Sequence, residues 1–457
     1  MRPFLVSILA IFCGFSRAET DEMDLIFVHS IWRHGDRSQD GHLKNDPLDP
    51  SEWNKGGGGY GQLTPEGMEQ QYVLGKKLRN RYIENLPFLH NFYDSQQIYI
   101  RSTDVNRTIN SAFANMMGMF SGGGRPGTDY PEMAGWPRGF MPVPIHSTGP
   151  ARTDCVANAF CSCKRRNELI DIAHTGEQYQ KYIKSENYIK TMALISELFN
   201  TTFTADNMWQ VHDAVYIQLI HFPEKVRNQS WYTNEFYENL DELERPTKLF
   251  VSGIYDPPVV NGINVRREIL KTRGGSLINE IAARMRTKAA CAKSSAKCDQ
   301  WHWNLKYYAY STHDHTVFAL LAVLGIEDIV AGPEKYGAWP DYASDILIEL
   351  FQNQTDSRPY FRILYQPDVH SNFSVVTQKI KGCKGLEFCD LKVFENRAKE
   401  FRPDRPMENW CQVSPVPENK AKTWMKELMH YEDDSNSASS NSYRYLVTLV
   451  TALGFLF

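Results

Sequence analysis

Short apolar runs alternate with helix-patterned stretches at both ends of the chain, and three of those runs stop abruptly on charged residues. Residues 25–32 (LIFVHSIW) have the length of a strand and end at Arg33-His34-Gly35-Asp36-Arg37. A loop over 38–62 follows, with four glycines at 56–59. Thr64 then suits a helix N-cap, Pro65 the first helical position and Glu66 the positive helix end. Met68, Tyr72, Leu74, Leu78 and Tyr82 form its apolar stripe. Residues 97–100 read as a second strand, closed by Arg101-Ser102-Thr103 and a helix over about 104–120 in which Val105, Ile109, Ala112, Phe113 and Met116 recur at three and four. Residues 306–310 are a third strand, ending at His313-Asp314-His315 before an apolar helix over 317–324. Residues 346–351 and 361–365 read as a strand pair with a polar link. Between 142 and 297 helical stretches dominate.

The pattern predicts an α/β protein: a core from 23–141 and 298–411, a mostly helical cap insertion over 142–297, and a linker over 412–444. The two ends read as targeting segments. An apolar run over 4–15 and Ser16-Arg17-Ala18 read as a signal peptide over 1–18. The apolar tail over 445–457, preceded by small residues, reads as a lipid-anchor signal or a short membrane segment.

Composition narrows the function. A formal net charge of -4 supplies no basic footprint for nucleic acid, so an anionic ligand needs a local cluster of cations. Of nine cysteines, Cys13 falls in the leader, and the remaining even number indicates disulfides in an oxidising compartment. Short loops are open to Cys155/Cys161, Cys291/Cys298 and Cys383/Cys389, which would leave Cys163 and Cys411; zinc is the rival use, without CxxC spacing. Asn200, Asn228, Asn353 and Asn372 head glycosylation triplets, whereas Asn106, which heads another, lies in a predicted helix. The expected location is the secretory pathway, extracellular, lysosomal or cell-surface.

The chemistry sits where the strands stop. Ligand crevices of open α/β sheets form at the carboxyl ends of strands. If the three strands are neighbours, Arg33, Arg37, Arg101, His34, His313 and Asp314 converge. Guanidinium forks match phosphate oxygens, so Arg33, Arg37 and Arg101 are the expected phosphate binders, with His313 a further donor. A neutral imidazole among them can attack phosphorus, which makes His34 the nucleophile. Asp314 can protonate the leaving alkoxide, and an acid pH optimum follows. Each residue alone has a plainer use: surface charge at Arg33-His34, strand-end hydrogen bonds at Arg101, a metal chelate at His313-x-His315.

Arg33-His34-Gly35-Asp36-Arg37-Ser38 resembles the RHGxRxP signature of the histidine acid phosphatases. His313-Asp314 resembles their HD pair, Arg101-Ser102-Thr103-Asp104-x-x-Arg107-Thr108 their RSTD segment, and Leu63-Thr64-x-x-Gly67 their LT-x-x-G helix start. The likeness spans about 25–411 and is nearest the animal prostatic and lysosomal type. It implies a mixed sheet with helices on both faces and a helical cap, the architecture of phosphoglycerate mutase. It implies a phosphohistidine on His34, phosphate binding by Arg33, Arg37 and Arg101, and proton donation by Asp314. It implies no metal or organic cofactor, and it admits a homodimer. It also joins Cys163 to Cys411 and Cys383 to Cys389. Gln39 replaces the family's proline, His315 its usual threonine, and Asp345 a bridging cysteine, which makes one core-to-cap disulfide doubtful and Cys291/Cys298 a pairing peculiar to this branch.

Hydrolysis of small phosphate monoesters is therefore the expected activity. A phytase-type inositol polyphosphate phosphatase needs a strongly basic cap, and residues 142–297 mix both signs. A catalytically silent surface protein that binds phosphorylated ligands would be expected to lack the nucleophile or the acid, and both are present.

Overall fold

The computed structural model describes residues 22–416 apart from 121, 295–297 and 332–338. The expected leader, C-terminal tail and most of the linker lie outside the described residues. An eight-stranded mixed sheet runs through the core. Its strands are β1 (Met23–Arg33), β2 (Ile98–Ser102), β3 (Ile145–His146), β4 (Tyr307–Thr312), β5 (Asp345–Asn353), β6 (Pro359–Gln366), β7 (Ser374–Val375) and β8 (Cys389–Asp390), in the order β8-β6-β5-β1-β4-β2-β3 with β7 on β6. The pairs β1–β4, β4–β2 and β2–β3 are parallel, and those on the β5 side are antiparallel. Strands β1, β4 and β2 are thus adjacent and aligned. Two backbone bonds stitch their carboxyl ends together, His34 N–H to the Thr312 carbonyl (3.0 Å) and Thr103 N–H to Ser311 (3.2 Å), and Arg33 N–H reaches the Ser344 carbonyl just before β5 (3.0 Å).

Helices cover both faces because the strands bury both. On one face α1 (Pro65–Arg79) and α2 (Asn106–Phe120) pack Leu74, Leu78, Ala112 and Met116 onto Val28, Trp32, Ile98 and Ala309. On the other, α5 (Ser276–Lys293) and α6 (Asp314–Leu324) cover Phe27, Ile31, Tyr308, Tyr310 and Ile346. The helices α3 (Trp209–His221) and α4 (Asn234–Val251) build a separate cluster around Val211, Val215, Phe236 and Leu240.

Two details correct the expected boundaries of 142–297. Strand β3 pairs with β2, and α5 buries Leu277, Ile281 and Met285 in the sheet's own core. These pieces belong to the core, and the cap is the helical stretch between them.

The signature glycines meet backbone to backbone. A Cβ on Gly67 would stand 2.1 Å from the Asp36 carbonyl oxygen, and one on Gly35 would stand 2.2 Å from that of Gly67. The start of α1 is thereby pressed against the loop after β1, with Thr64 capping it by accepting the Gly67 N–H at 3.1 Å.

Every described cysteine is bridged: Cys155–Cys161, Cys163–Cys411, Cys291–Cys298 and Cys383–Cys389. Such bridges persist in oxidising compartments, so the chain belongs to the secretory pathway. Asn200, Asn228 and Asn372 are exposed. Asn353 is not: it is 9% exposed, and its carboxamide oxygen accepts the Thr355 and Asp356 N–H groups at 2.8 and 2.9 Å. Burial of the side chain, with its nitrogen 3.8 Å from Met23 Sδ, argues against a glycan there.

Asp345 is fully buried; Ser30 Oγ donates to its two oxygens at 3.0 and 2.9 Å, and the Ile31 and Ile346 backbone also bonds it, but no cation faces it among the described residues. Burial pushes its carboxyl up to about 7. The native state therefore holds a proton between about pH 4 and pH 7 that the unfolded chain has released, and stability falls as pH rises through that window. The full effect of such a shift is on the order of 4 kcal/mol. Asp345→Asn is expected to flatten this slope: its urea midpoint should exceed that of the unaltered protein at pH 7 by more than at pH 4.5. An unchanged difference at the two pH values would contradict the neutral carboxyl.

Candidate active site

A cavity of about 640 Å³ opens above the carboxyl ends of β1 and β4, lined by Arg33, His34, Arg37, Arg107, His313 and Asp314 and roofed by α3 and α4. His34 lies at its floor, 3% exposed. The His34 Nδ1 is 2.8 Å from the Gly35 carbonyl oxygen, which can only accept, so Nδ1 carries the proton and Nε2 the lone pair. Arg107 Nε–H points at that lone pair from 3.3 Å. Burial first, then Arg107, Arg33, the ring of His313 and Arg37, hold the His34 pKa well below its ordinary value. The imidazole therefore stays neutral in acid, as a nucleophile requires.

The guanidinium groups are fixed by carboxylates. Arg37 grips Asp213 of α3 through two bonds of 3.0 and 2.8 Å. Burial opposes its charge, but Asp213 more than compensates and raises its pKa. Arg33 donates to the Pro340 carbonyl at 2.9 Å, lies 4.2 Å over the Tyr342 ring, and approaches Asp314 to 3.9 Å. Arg107 is half-buried; desolvation first and then Arg37 lower its pKa to about 10, with Asp40 at 3.6 Å as counter-charge. The Nε groups of Arg33 and Arg37 are buried donors with no acceptor, a state that an anion in the cavity would relieve.

His313 precedes α6; its ring centroid is 5.6 Å from that of His34, and its Nε2 is 3.1 Å from Thr103 Oγ1. Burial and the arginines lower its pKa to about 3. Asp314 opens α6 and accepts the Trp339 indole N–H at 2.9 Å. Burial pushes its carboxyl up, but Arg33, His315, Lys248 and that indole together hold it well below the usual range. His315 lines the same cavity, its Nδ1 3.2 Å from Ser252 Oγ. His313 and His315 thus turn to different partners, which is not the arrangement of a chelate.

Arg101 is not in the cavity, and this corrects the expected phosphate set. Ile98 and Ile100 of β2 face α1 and α2, so strand alternation sends Arg101 to the opposite face. There it bonds Asp154 at 2.6 Å, Thr148 at 3.0 Å and Glu280 at 3.2 Å. Its place beside His34 is taken by Arg107, six residues on, at the start of α2.

Gln39 has a role that its proline counterpart could not fill. It is fully buried, donates to Asp46 at 2.6 Å, and accepts from Gln218 of α3 at 2.6 Å, tying the loop after β1 to the cap. Among the described residues, Asp36, Glu66 and His221 converge closely enough for a metal ion. Lys55 Nζ already lies 3.1 Å from both Glu66 and His221 there.

Comparison with known proteins agrees with this geometry. The family model of the histidine phosphatase superfamily (branch 2) matches residues 24–366. Human prostatic acid phosphatase is 31% identical over 351 residues, 74% of this chain and 80% of its own. A Caenorhabditis elegans protein named "Putative acid phosphatase 10" is 32% identical over 421 residues, 90% of this chain and 98% of its own. Among solved structures, Hafnia alvei phytase in complex with tartrate superposes with a TM-score of 0.57 at 14% identity, covering 86% of this chain and 99% of its own.

Proposed function

Since the chain belongs to the histidine phosphatase superfamily, branch 2, we propose that it is an acid phosphatase that hydrolyses phosphate monoesters through a phosphohistidine on His34. The observation that carries this reading is the unprotonated Nε2 of a buried imidazole, which accepts from Arg107 and is flanked by Arg33 and Arg37. With the ester's phosphoryl oxygens held by these guanidinium groups and His313, the Nε2 lone pair attacks phosphorus in line. The P–O ester bond breaks, and the leaving oxygen takes a proton from Asp314. Water then attacks the phosphohistidine, giving a proton to the Asp314 carboxylate and releasing phosphate.

Asp314 is ionised while the cavity holds no phosphate, because Arg33 and its other cationic neighbours outweigh burial. Its proton arrives with the substrate. A phosphate monoester is a monoanion below its second pKa, about 6, and that proton passes through Asp314 to the leaving oxygen. Turnover accordingly rises as pH falls through this value. Asp314→Ala should slow esters of poor leaving groups most, for example an alkyl phosphate far more than 4-nitrophenyl phosphate. Equal slowing of both would remove Asp314 from the proton transfer.

The cavity favours simple monoesters over inositol polyphosphates. Asp40, Asp206, Asp213, Asp241, Glu244 and Asp341 stand around it together with the cations, and they repel a polyanion beyond its first phosphate. The likeness to phytases is one of fold alone. Release of phosphate from 4-nitrophenyl phosphate and from inositol hexakisphosphate, compared at the same acid pH, tests this reading. The aryl ester should be preferred; preference for the hexakisphosphate would overturn it. In a secretory-pathway protein, the site would act in the lysosome, at the cell surface or outside the cell.

A further inference from the structure

The floor of the cavity is cationic, but one wall of its mouth is not. Asp206 and Asp241 line the same cavity as His34, and their side chains are 55% and 47% exposed. The nearest ion-pair partner of each is a histidine: His174 at 3.5 Å and His212 at 2.9 Å. Burial lowers the His174 pKa against the opposing pull of Asp206, which weakens the cation facing that carboxylate. The Asp241 carboxyl lies below its usual range because His212 bonds to it and Lys248 and Arg245 add their fields, so it stays charged in acid. Glu244, in contrast, is matched by Lys248 at 2.6 Å.

Aromatic rings line the same cavity. Trp209, 37% exposed, and Tyr216 line it from α3. Trp209 lies one helical turn before Asp213, the residue that grips Arg37. The buried Nε of Arg37 lacks an acceptor, so the anionic end of a ligand belongs on that arginine. Its other end then lies along the indole and the two carboxylates. An aromatic face beside carboxylates attracts ammonium groups, quaternary ones above all.

We propose that this wall, Asp206, Trp209 and Asp241, selects phosphate monoesters whose leaving alcohol carries an ammonium group. The proposal rests on the phosphatase reading and names the substrate class of that same site. Such an ester is a zwitterion: its phosphoryl group meets Arg33, Arg37 and Arg107, and its cation meets the wall.

The test uses the disulfide-bonded enzyme and three esters: choline phosphate, its neutral isostere 3,3-dimethylbutyl phosphate, and 4-nitrophenyl phosphate. The first two have the same shape and leaving-group chain, with carbon in place of nitrogen. At low salt, kcat/KM for choline phosphate should exceed that for the isostere by about tenfold. In the double variant Asp206→Asn/Asp241→Asn the ratio should fall toward one, and turnover of the isostere reports that the variant is folded. Equal kcat/KM on the two alkyl esters in the unaltered enzyme, or a ratio that the double variant does not move, overturns the proposal. Inertness toward all three esters would instead overturn the phosphatase reading, and this proposal with it.

Discussion

Replacing His34 with alanine is expected to reduce turnover of 4-nitrophenyl phosphate by about 10,000-fold or more, the scale seen when a covalent catalyst loses its nucleophile. No neighbour can substitute. The ring of His313 is 5.6 Å away and its Nε2 is engaged with Thr103. Asp314 is a weak nucleophile whose charge is bound up with Arg33. The side chain of His34 makes one intraloop bond, to the Gly35 carbonyl, so the fold should survive the change. The check is a rate measurement beside a thermal melt. A folded variant that keeps more than about a hundredth of the rate would contradict the nucleophile assignment.

The second large effect separates two arginines six residues apart. Arg107→Ala removes a donor that faces the attacking nitrogen, and kcat/KM should fall by about 100- to 1,000-fold, as for loss of one preorganised donor to a transition-state oxygen. Arg101→Met should behave differently. It strips the cation from Asp154, whose side chain is 3% exposed, and from Glu280. Breaking a buried pair in this way costs about 3 kcal/mol or more in stability. Its kcat/KM should stay within about tenfold of the unaltered enzyme, since the guanidinium never reaches the cavity. Urea midpoints and kcat/KM for both variants decide the matter. The reverse pattern, with Arg101 essential for turnover and Arg107 only for stability, would restore the assignment expected from sequence.

That exchange marks how far the sequence could be read. Parallel strands place their carboxyl ends on one edge, so three apolar runs that stop on Arg33-His34, Arg101 and His313-Asp314 were enough to locate the site. They could not say which way each side chain turns. For Arg101 the signal was present: Ile98 and Ile100 are apolar neighbours two apart, so Arg101 shares a face with Tyr99 and not with them. Arg107 could have been found by asking which cation sits in the first helical turn after that strand. The helix stripes were legible only in part. Leu74, Leu78, Ala112 and Met116 are buried as their spacing predicts, whereas Tyr72 and Phe113 are more than a third exposed. Gln71, Asn115 and Gly75 take the inner positions instead, because α1 and α2 cross too closely for large side chains: a Cβ on Gly75 would stand 2.0 Å from the Asn115 carbonyl oxygen. The cap contributes Asp213, Trp209 and Asp241 across more than a hundred residues of chain, and no local pattern announces such partners.

The central claim is a covalent bond between phosphorus and His34 Nε2. The most direct test mixes the enzyme with a radiolabelled aryl phosphate, quenches within milliseconds, and maps the label by peptide. A base-stable, acid-labile adduct on the peptide that contains His34, absent from His34→Ala, is the predicted result. Full turnover with no label on any peptide, or label on the peptide that contains Asp314, would contradict it.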